Sequence, residues 1–181
     1  MKKVLIMSSS LRNNSNSSSL ANEFMKGVQE AGHEVKMIQL QDKEIKYCIG
    51  CLSCQKTHRC VIRDDMKEIN DLIKESDVVA FATPIYFYEV SGQLKTLLDR
   101  TNPLFPIEYK FRDVYVLATA ADEENEWIKR SLNAIDGWVE CFDKAKIKEK
   151  IIGVNAGITD SDNITNNMET LKKVFETGKL V

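Results

Sequence analysis

The chain has 181 residues, 43% apolar and 29% charged, with eight glycines and three prolines, the make-up of one globular domain rather than a disordered, collagenous or low-complexity chain. Its 25 basic and 27 acidic side chains leave a formal charge of −2 with no basic block, so electrostatic binding to nucleic acid has no footprint. The early apolar run from Val4 to Met7 is far too short for a signal-peptide core, and no later stretch approaches the roughly 20 residues that a bilayer requires. A cytoplasmic protein with no membrane partner is expected, and its five cysteines then point to thiol, metal or cluster chemistry, because cytosolic thiols are kept reduced.

In chain order, Lys3 to Ser8 is a compact Val/Leu/Ile run, short enough for a strand buried on both faces. From about Ser17, apolar residues recur at helical spacing (Leu20, Ala21, Phe24, Met25, Val28), and Gly32 ends that helix. Val35 to Leu40 alternates as a second strand. Gln41 to Asp64 has no usable period and holds four of the cysteines. Asp65 with Glu68 reads as a capping box opening a helix through Ile69, Leu72 and Ile73. Asp77 to Thr83 is a third strand, Val90 to about Asn102 a helix, and Asp113 to Thr119 a fourth strand. Glu124 to Phe142 reads as one helix with Gly137 as a modest flaw; Lys150 to Asn155 is a fifth strand and Asn163 to Thr177 the closing helix.

Five strands alternating with five helices, each strand apolar enough to be covered on both faces, predict a doubly wound α/β domain spanning residues 1–181, with no repeat or linker. Right-handed crossovers leave few strand orders, and 2-1-3-4-5 is the expected one. Ligands of such sheets sit where the order reverses, outside the carboxyl ends of the strands, which singles out the loops after Ser8, Leu40, Thr83 and Thr119.

The first of these loops, Ser8 to Ser19, has no glycine, so neither the dinucleotide fingerprint nor a P-loop is present. It offers hydroxyls and amides leading into a helix N-terminus, where unpaired N–H groups and the helix dipole favour an anion. Arg12 adds a charge able to make paired hydrogen bonds to phosphate oxygens. A plain Ser/Asn cap on a surface loop would look the same locally; the position at the reversal point favours a phosphate cradle. A magnesium-dependent phosphoacceptor is excluded, since no acidic residue follows the first strand. After the third strand, Thr83-Pro84-Ile85-Tyr86-Phe87-Tyr88 presents three aromatics on which a flat ring could stack, or which could roof the core.

These residues resemble the flavodoxin-like NAD(P)H-dependent FMN reductases, including the iron–sulfur flavoproteins. Ser9-Ser10-Leu11-Arg12 and Asn16-Ser17 stand where that family has Gly-Ser-x-Arg and a later Asn-Thr or Asn-Ser, with Ser9 in the glycine's place. Thr83-Pro84-Ile85-Tyr86-Phe87, Gln93-Leu94-Lys95 and Asp99-Arg100 match its Thr-Pro-x-Tyr, Leu-Lys and Asp-Arg run, and Asp64-Asp65-Met66 also fits. The resemblance covers residues 3 to 120 and is most specific from 83 to 100. It implies that Ser10, Arg12, Asn16 and Ser17 hold the phosphate of FMN, that Pro84, Ile85, Tyr86 and Phe87 line its ring, and that the backbone of Thr119, Ala120, Ala121 and Asp122 meets the ring's other side. It further implies a nicotinamide donor, NADH or NADPH, a small-molecule or protein electron acceptor, and a homodimer or larger homo-oligomer. No catalytic acid or base is required, because the flavin carries the chemistry. Lys95, Asp99 and Arg100 read as helix-surface and ion-pair residues.

Cys48-x2-Cys51-x2-Cys54-x5-Cys60 gathers four thiols in a short window. The spacing suits a [4Fe–4S] cluster and resembles the motif of the iron–sulfur flavoproteins; with the loop after strand two beside that after strand one, cluster and flavin would be neighbours, within a subunit or across a dimer. A zinc site with His58 as a spare ligand, and free thiols without metal, stay open. Cys141 is a core or surface thiol. The functional alternatives are thus an FMN-dependent reductase, an iron–sulfur flavoprotein in electron transfer, and a non-catalytic metal- or phosphate-binding module. A 24-residue connector is long enough to suggest that something functional occupies it.

Overall fold

The computed structural model describes residues 1–157 and 163–181. Within these, the strands are β1 (Lys3–Ser8), β2 (Glu34–Gln39), β3 (Val78–Tyr86), β4 (Glu89–Val90), β5 (Asp113–Thr119) and β6 (Lys146–Gly153). The helices are α1 (Asn16–Glu30), α2 (Ser53–Thr57), α3 (Met66–Glu75), α4 (Gly92–Asp99), α5 (Glu126–Arg130), α6 (Asn133–Glu140) and α7 (Met168–Lys179). Five strands pair in parallel in the order β2-β1-β3-β5-β6, and the short β4 pairs antiparallel with the end of β3. The expected five-stranded order 2-1-3-4-5 is therefore corrected to a six-stranded sheet. The reversal between β1 and β3 is where it was expected; the added strand comes from β3 running through Pro84 to Tyr86 and turning back on itself.

The continuous apolar runs are explained by layers on both faces. Val4, Ile6, Val78, Ala80 and Leu117 point to a core shared with Leu20, Phe24 and Val28 of α1 and Val174 of α7. Leu5, Met7, Val79, Phe81 and Val116 point to the other core, against Ile69 and Ile73 of α3, Leu94 and Leu97 of α4, and Ile135 and Trp138 of α6. This is the period-2 alternation of strands buried on both sides. α1 and α7 pack backbone to backbone at Gly27 and Gly178: a Cβ on the first would stand 2.1 Å from the Phe175 carbonyl oxygen, and on the second 2.4 Å from that of Phe24.

Several local expectations need correction. The helix expected from Val90 begins at Gly92, with Ser91 as its N-cap accepting from the Leu94 N–H. The long helix from Glu124 to Phe142 is two, α5 and α6, interrupted at Ser131 and Leu132. The last strand starts four residues early, at Lys146 rather than Lys150, and α7 begins at Met168 after the 3-10 turn Ile164–Asn166. Asp65 makes no capping hydrogen bond to α3; its carboxylate accepts instead from the Glu44 N–H at 2.7 Å. Lys95 and Asp99 form the expected exposed pair, 2.6 Å apart, whereas Arg100 is not a surface residue but the largest fully buried side chain.

Candidate functional site

At the reversal point the chain leaves β1 through Ser8, Ser9 and Ser10, all buried, turns through Asn14 in the left-handed region (φ 51°), and enters α1 with Ser15 as N-cap. Serine suits this path because its hydroxyl satisfies the backbone groups that the turn would otherwise bury unpaired. The Ser15 hydroxyl oxygen accepts from the Ser18 N–H at 3.2 Å, Ser15 and Ser18 hydroxyls are 2.8 Å apart, and Ser8 meets Ser18 at 3.0 Å. The Ser10 oxygen accepts from the Arg12 N–H at 3.2 Å. No acidic residue lies in the first turn of α1, so the partial positive charge of the helix end is uncompensated from within the helix. Arg12 is exposed.

A second hydroxyl network joins this loop to β3. Ser91 donates to Ser9 (2.8 Å) and Ser9 to the Ala82 carbonyl (3.2 Å), while the Thr83 hydroxyl oxygen accepts from the Ser91 N–H at 3.2 Å. These fix the β3–β4 hairpin over the loop after β1. The hairpin turns on Phe87 and Tyr88, both with positive φ (50° and 58°), and Ile85 pairs with Val90 and Tyr86 with Glu89. Two consecutive left-handed residues between paired strands make a type I′ turn, a position that favours Asn and Gly. Tyr88 reaches across to the loop after β5, its hydroxyl donating to Asp122 Oδ2 at 2.8 Å; this hydrogen bond raises the Tyr88 phenol and holds the Asp122 carboxyl below its ordinary value.

One cavity lies between these segments. It is lined by Ser10, Arg12, Ser15, Asn16 and Ser17 at one end, Pro84, Ile85 and Tyr86 along one side, and Thr119, Ala121, Ala156 and Gly157 along the other. Nine of the twelve residues singled out for a cofactor thus converge, Phe87, Ala120 and Asp122 not being among the lining residues. Phe87 stands at the hairpin tip, fully exposed, and Ala120 is buried behind the wall, its N–H bound to the Gly153 carbonyl at 2.9 Å. Asn16 lines the cavity with its amide already engaged: Nδ2 donates to the Gly157 carbonyl (2.8 Å) and Oδ1 accepts from the Ile164 N–H (3.1 Å). Sequence reasoning missed Ser15, Ala156 and Gly157. The signal for the last two was the Asn155-Ala156-Gly157 turn at the end of β6, where Asn155 has φ 54°; attention to the reversal point alone passed over it. The donor set, hydroxyls and a guanidinium with no carboxylate among the lining residues at one end and apolar atoms at the other, fits a flat ring carrying a phosphate tail.

The cysteine stretch leaves β2 by the 3-10 turn Leu40–Asp42 and holds the single helical turn of α2, flanked by left-handed Leu52 and His58. Cys54 is buried in α2, Cys60 half-buried, and Cys48 and Cys51 exposed. The N–H and hydroxyl of Ser53 hold the Cys51 thiol below its usual value. Burial pushes Cys54 up, and the charges of Cys60, Cys51 and Cys48 push it further. Among the described residues no group of three or more His, Cys, Asp or Glu converges as ligands of a single ion. A cubane is a different demand, since each thiolate takes its own iron corner, and a four-thiol donor set fits it. The start of this loop lies beside the loop after β1, as expected, Leu40, Lys43, Ile45 and Tyr47 lining one cavity with Leu11; further along, α2 packs on the turn Asn102–Leu104. Cys141 is an exposed thiol.

A doubly wound flavodoxin-like sheet with a cleft at its reversal point, lined by hydroxyls and a guanidinium at one end, defines the class of protein. Residues 2–135 match the NADPH-dependent FMN reductase family, and the chain belongs to that family. An iron–sulfur flavoprotein of Methanocaldococcus jannaschii is 42% identical over 102 residues, 56% of this chain and 53% of that protein. An iron–sulfur flavoprotein of Methanosarcina thermophila is 24% identical over 189 residues, 99% of this chain and 96% of that one. Against the M. jannaschii protein and an iron–sulfur flavoprotein of Archaeoglobus fulgidus, the chain spans about half of the relative's length, 53% and 46%. The fold is shared with an NAD(P)H:quinone oxidoreductase from Methanothermobacter marburgensis, with a TM-score of 0.80 at 17% identity over 98% of this chain and 96% of that one. It is also shared with an FMN-dependent NADH-azoreductase of Bacillus anthracis in complex with FMN, at 0.69, 15% identity and 99% of each chain.

Proposed function

We propose that the chain is an FMN-binding oxidoreductase that passes electrons from NADH or NADPH to a small-molecule acceptor such as a quinone, a nitro or azo compound, or free flavin. The observation that carries this reading is the convergence of the serine-lined N-terminus of α1 and the Pro84–Tyr86 segment in one cleft. Ser10, Ser17, Arg12 and the first N–H groups of α1 would hold the phosphate, and Asn16, its amide spent on Gly157 and Ile164, would keep the opposite wall in place. Pro84, Ile85 and Tyr86 would line the ring, Phe87 and Tyr88 would overhang it from the hairpin, and backbone at Thr119 to Ala121 would meet its other side. Bound FMN accepts hydride from a nicotinamide and releases electrons singly or in pairs; the chain's residues position it and exclude water.

A second reading is favoured by the spacing of the four thiols between Cys48 and Cys60: a [4Fe–4S] cluster on Cys48, Cys51, Cys54 and Cys60, with protein partners as acceptors. Electrons would pass between cluster and flavin within a subunit or across a dimer. Exposed Tyr47, Ile49, Leu52, Tyr86, Phe87 and Trp127 supply apolar surface of the kind that a homodimer buries. A cytoplasmic setting agrees with reduced thiols. Anaerobic purification with flavin and iron quantified together tests both readings. Stoichiometric FMN with NADH- or NADPH-dependent bleaching is expected; a colourless protein that takes up no added FMN would leave a non-catalytic binding module instead. About four irons per chain supports the cluster, and flavin without iron or acid-labile sulfide rejects it.

A further inference from the structure

Among the described residues, the only charged residue buried as a whole is Arg100, the residue after α4. Its side chain is 1% exposed and that of its partner Asp64 0%. A guanidinium in a core needs an acceptor for each donor. Nη1 donates to Asp64 Oδ2 (2.7 Å) and to the Lys46 carbonyl (2.5 Å), and Nη2 to Asp64 Oδ1 (2.9 Å). The same carboxylate accepts from the N–H of Lys46 (2.9 Å) and of Met66 (3.2 Å). Lys46 and Asp64 are the two ends of the cysteine loop, so one buried ion pair closes it. A second rung lies outside the first: Glu44 N–H donates to Asp65 Oδ2 at 2.7 Å, and Asp65 N–H to the Glu44 carbonyl at 3.2 Å. Asn70 donates to the Arg100 carbonyl at 3.1 Å, tying the clasp to α3.

One of the three guanidinium nitrogens is left without any partner. The Arg100 Nε–H is buried with no hydrogen-bond acceptor, an arrangement that calls for an explanation. Cys60 lines the same cavity as Asp64 and Asn70, both of which are hydrogen-bonded to Arg100. A large, soft sulfur meets a donor at longer range than an oxygen does, which suits a donor left without an oxygen.

We propose that Arg100 is the positioning residue of the cysteine loop, clasping its two ends from within the core and keeping its Nε–H and its charge for the sulfur of Cys60. The second half of this assignment rests on the cluster reading; the clasp does not. It makes Arg100 and Asp64 part of the redox machinery although neither touches the flavin cleft.

The test uses R100K and R100Q in the full chain. In the iron-free, FMN-loaded protein, limited trypsin digestion at Lys56, Arg59 and Arg63 reads loop closure directly. R100K, which keeps the charge and loses the planar fork, is expected to be cut there several-fold faster than wild type while retaining FMN. Cutting at the wild-type rate, or spread over the whole chain, overturns the clasp. In the anaerobically purified protein, iron per flavin is expected to fall in both variants. The potential of the remaining cluster should drop in R100Q and stay near wild type in R100K, because a nearby positive charge favours the reduced, more negative cluster. A wild-type potential in R100Q overturns the role toward Cys60. Wild-type protein without iron fails the cluster reading alone, and the digestion still decides the clasp; should R100Q not fold, R100K decides it.

Discussion

Arg12 is exposed and, among the described residues, has no carboxylate within ion-pair distance, in a chain where most lysines have one. A side chain of this kind at the mouth of a hydroxyl-lined helix N-terminus has its charge available for a ligand. Charge-assisted hydrogen bonds are worth about 1.5–3 kcal/mol each, so Arg12→Ala should weaken FMN binding by about 10–100-fold, and Arg12→Lys should recover part of this because it keeps the charge without the fork. Titration of the flavin-free protein with FMN, followed by flavin fluorescence, measures it; an unchanged affinity would remove Arg12 from the cradle. That Ser10, Arg12 and Ser17 stand at the cleft was legible because they lie in the loop between the first strand and its helix, where the strand order reverses. Asn16 was legible as a polar residue in the right place, but not in its task, since its partners Gly157 and Ile164 lie more than 140 positions along the chain and leave no local trace. Arg100 is the same case in sharper form: its sequence neighbours place it on a helix end, and only the pairing with Asp64, 36 residues earlier, puts it inside.

At the scale of elements, alternation and helical spacing located the five parallel strands, because each must present apolar atoms to both faces of the sheet. What they could not locate was the β3–β4 hairpin. Pro84 reads as a strand end, and Phe87-Tyr88 carries none of the Asn-Gly signature of a type I′ turn. The left-handed region costs a bulky L-residue about 1–2 kcal/mol, so this turn stores strain, and such strain gathers at ligand clamps. The double substitution Phe87→Asn with Tyr88→Gly should therefore raise the unfolding free energy by about 1–3 kcal/mol, since the exposed Tyr88–Asp122 hydrogen bond it removes contributes little. The same change strips the overhang from the cleft, so flavin should dissociate faster. Chemical denaturation and stopped-flow flavin release give the two halves; a variant less stable than wild type would mean that the aromatic tip packs usefully and that the turn is not strained.

At the scale of the whole molecule, the doubly wound order was legible because handedness leaves so few alternatives, whereas the course of the cysteine loop was not, being set by one buried ion pair rather than by any periodic pattern. That pair also makes a statement about pH. Burial pushes the Asp64 carboxyl up, and the hydrogen bonds from Arg100, Lys46 N–H and Met66 N–H more than reverse this, leaving it below the ordinary carboxylate value. A group whose folded pKa is depressed contributes stability that is fully present above its unfolded pKa, about 3.9 for Asp, and that is lost as the pH falls through the folded pKa. Asp64→Asn leaves the Arg100 charge buried without its partner, a loss of about 3–5 kcal/mol at neutral pH for a pair of this kind. The gap between wild type and variant should stay constant from neutrality down to the ordinary carboxylate range and then close as wild-type Asp64 takes up its proton and stands, like the asparagine, uncharged beside Arg100. Urea unfolding at a series of pH values follows it. A gap that stayed the same through the acid limb would mean that the Asp64–Arg100 ion pair is not what joins the cysteine loop to the core.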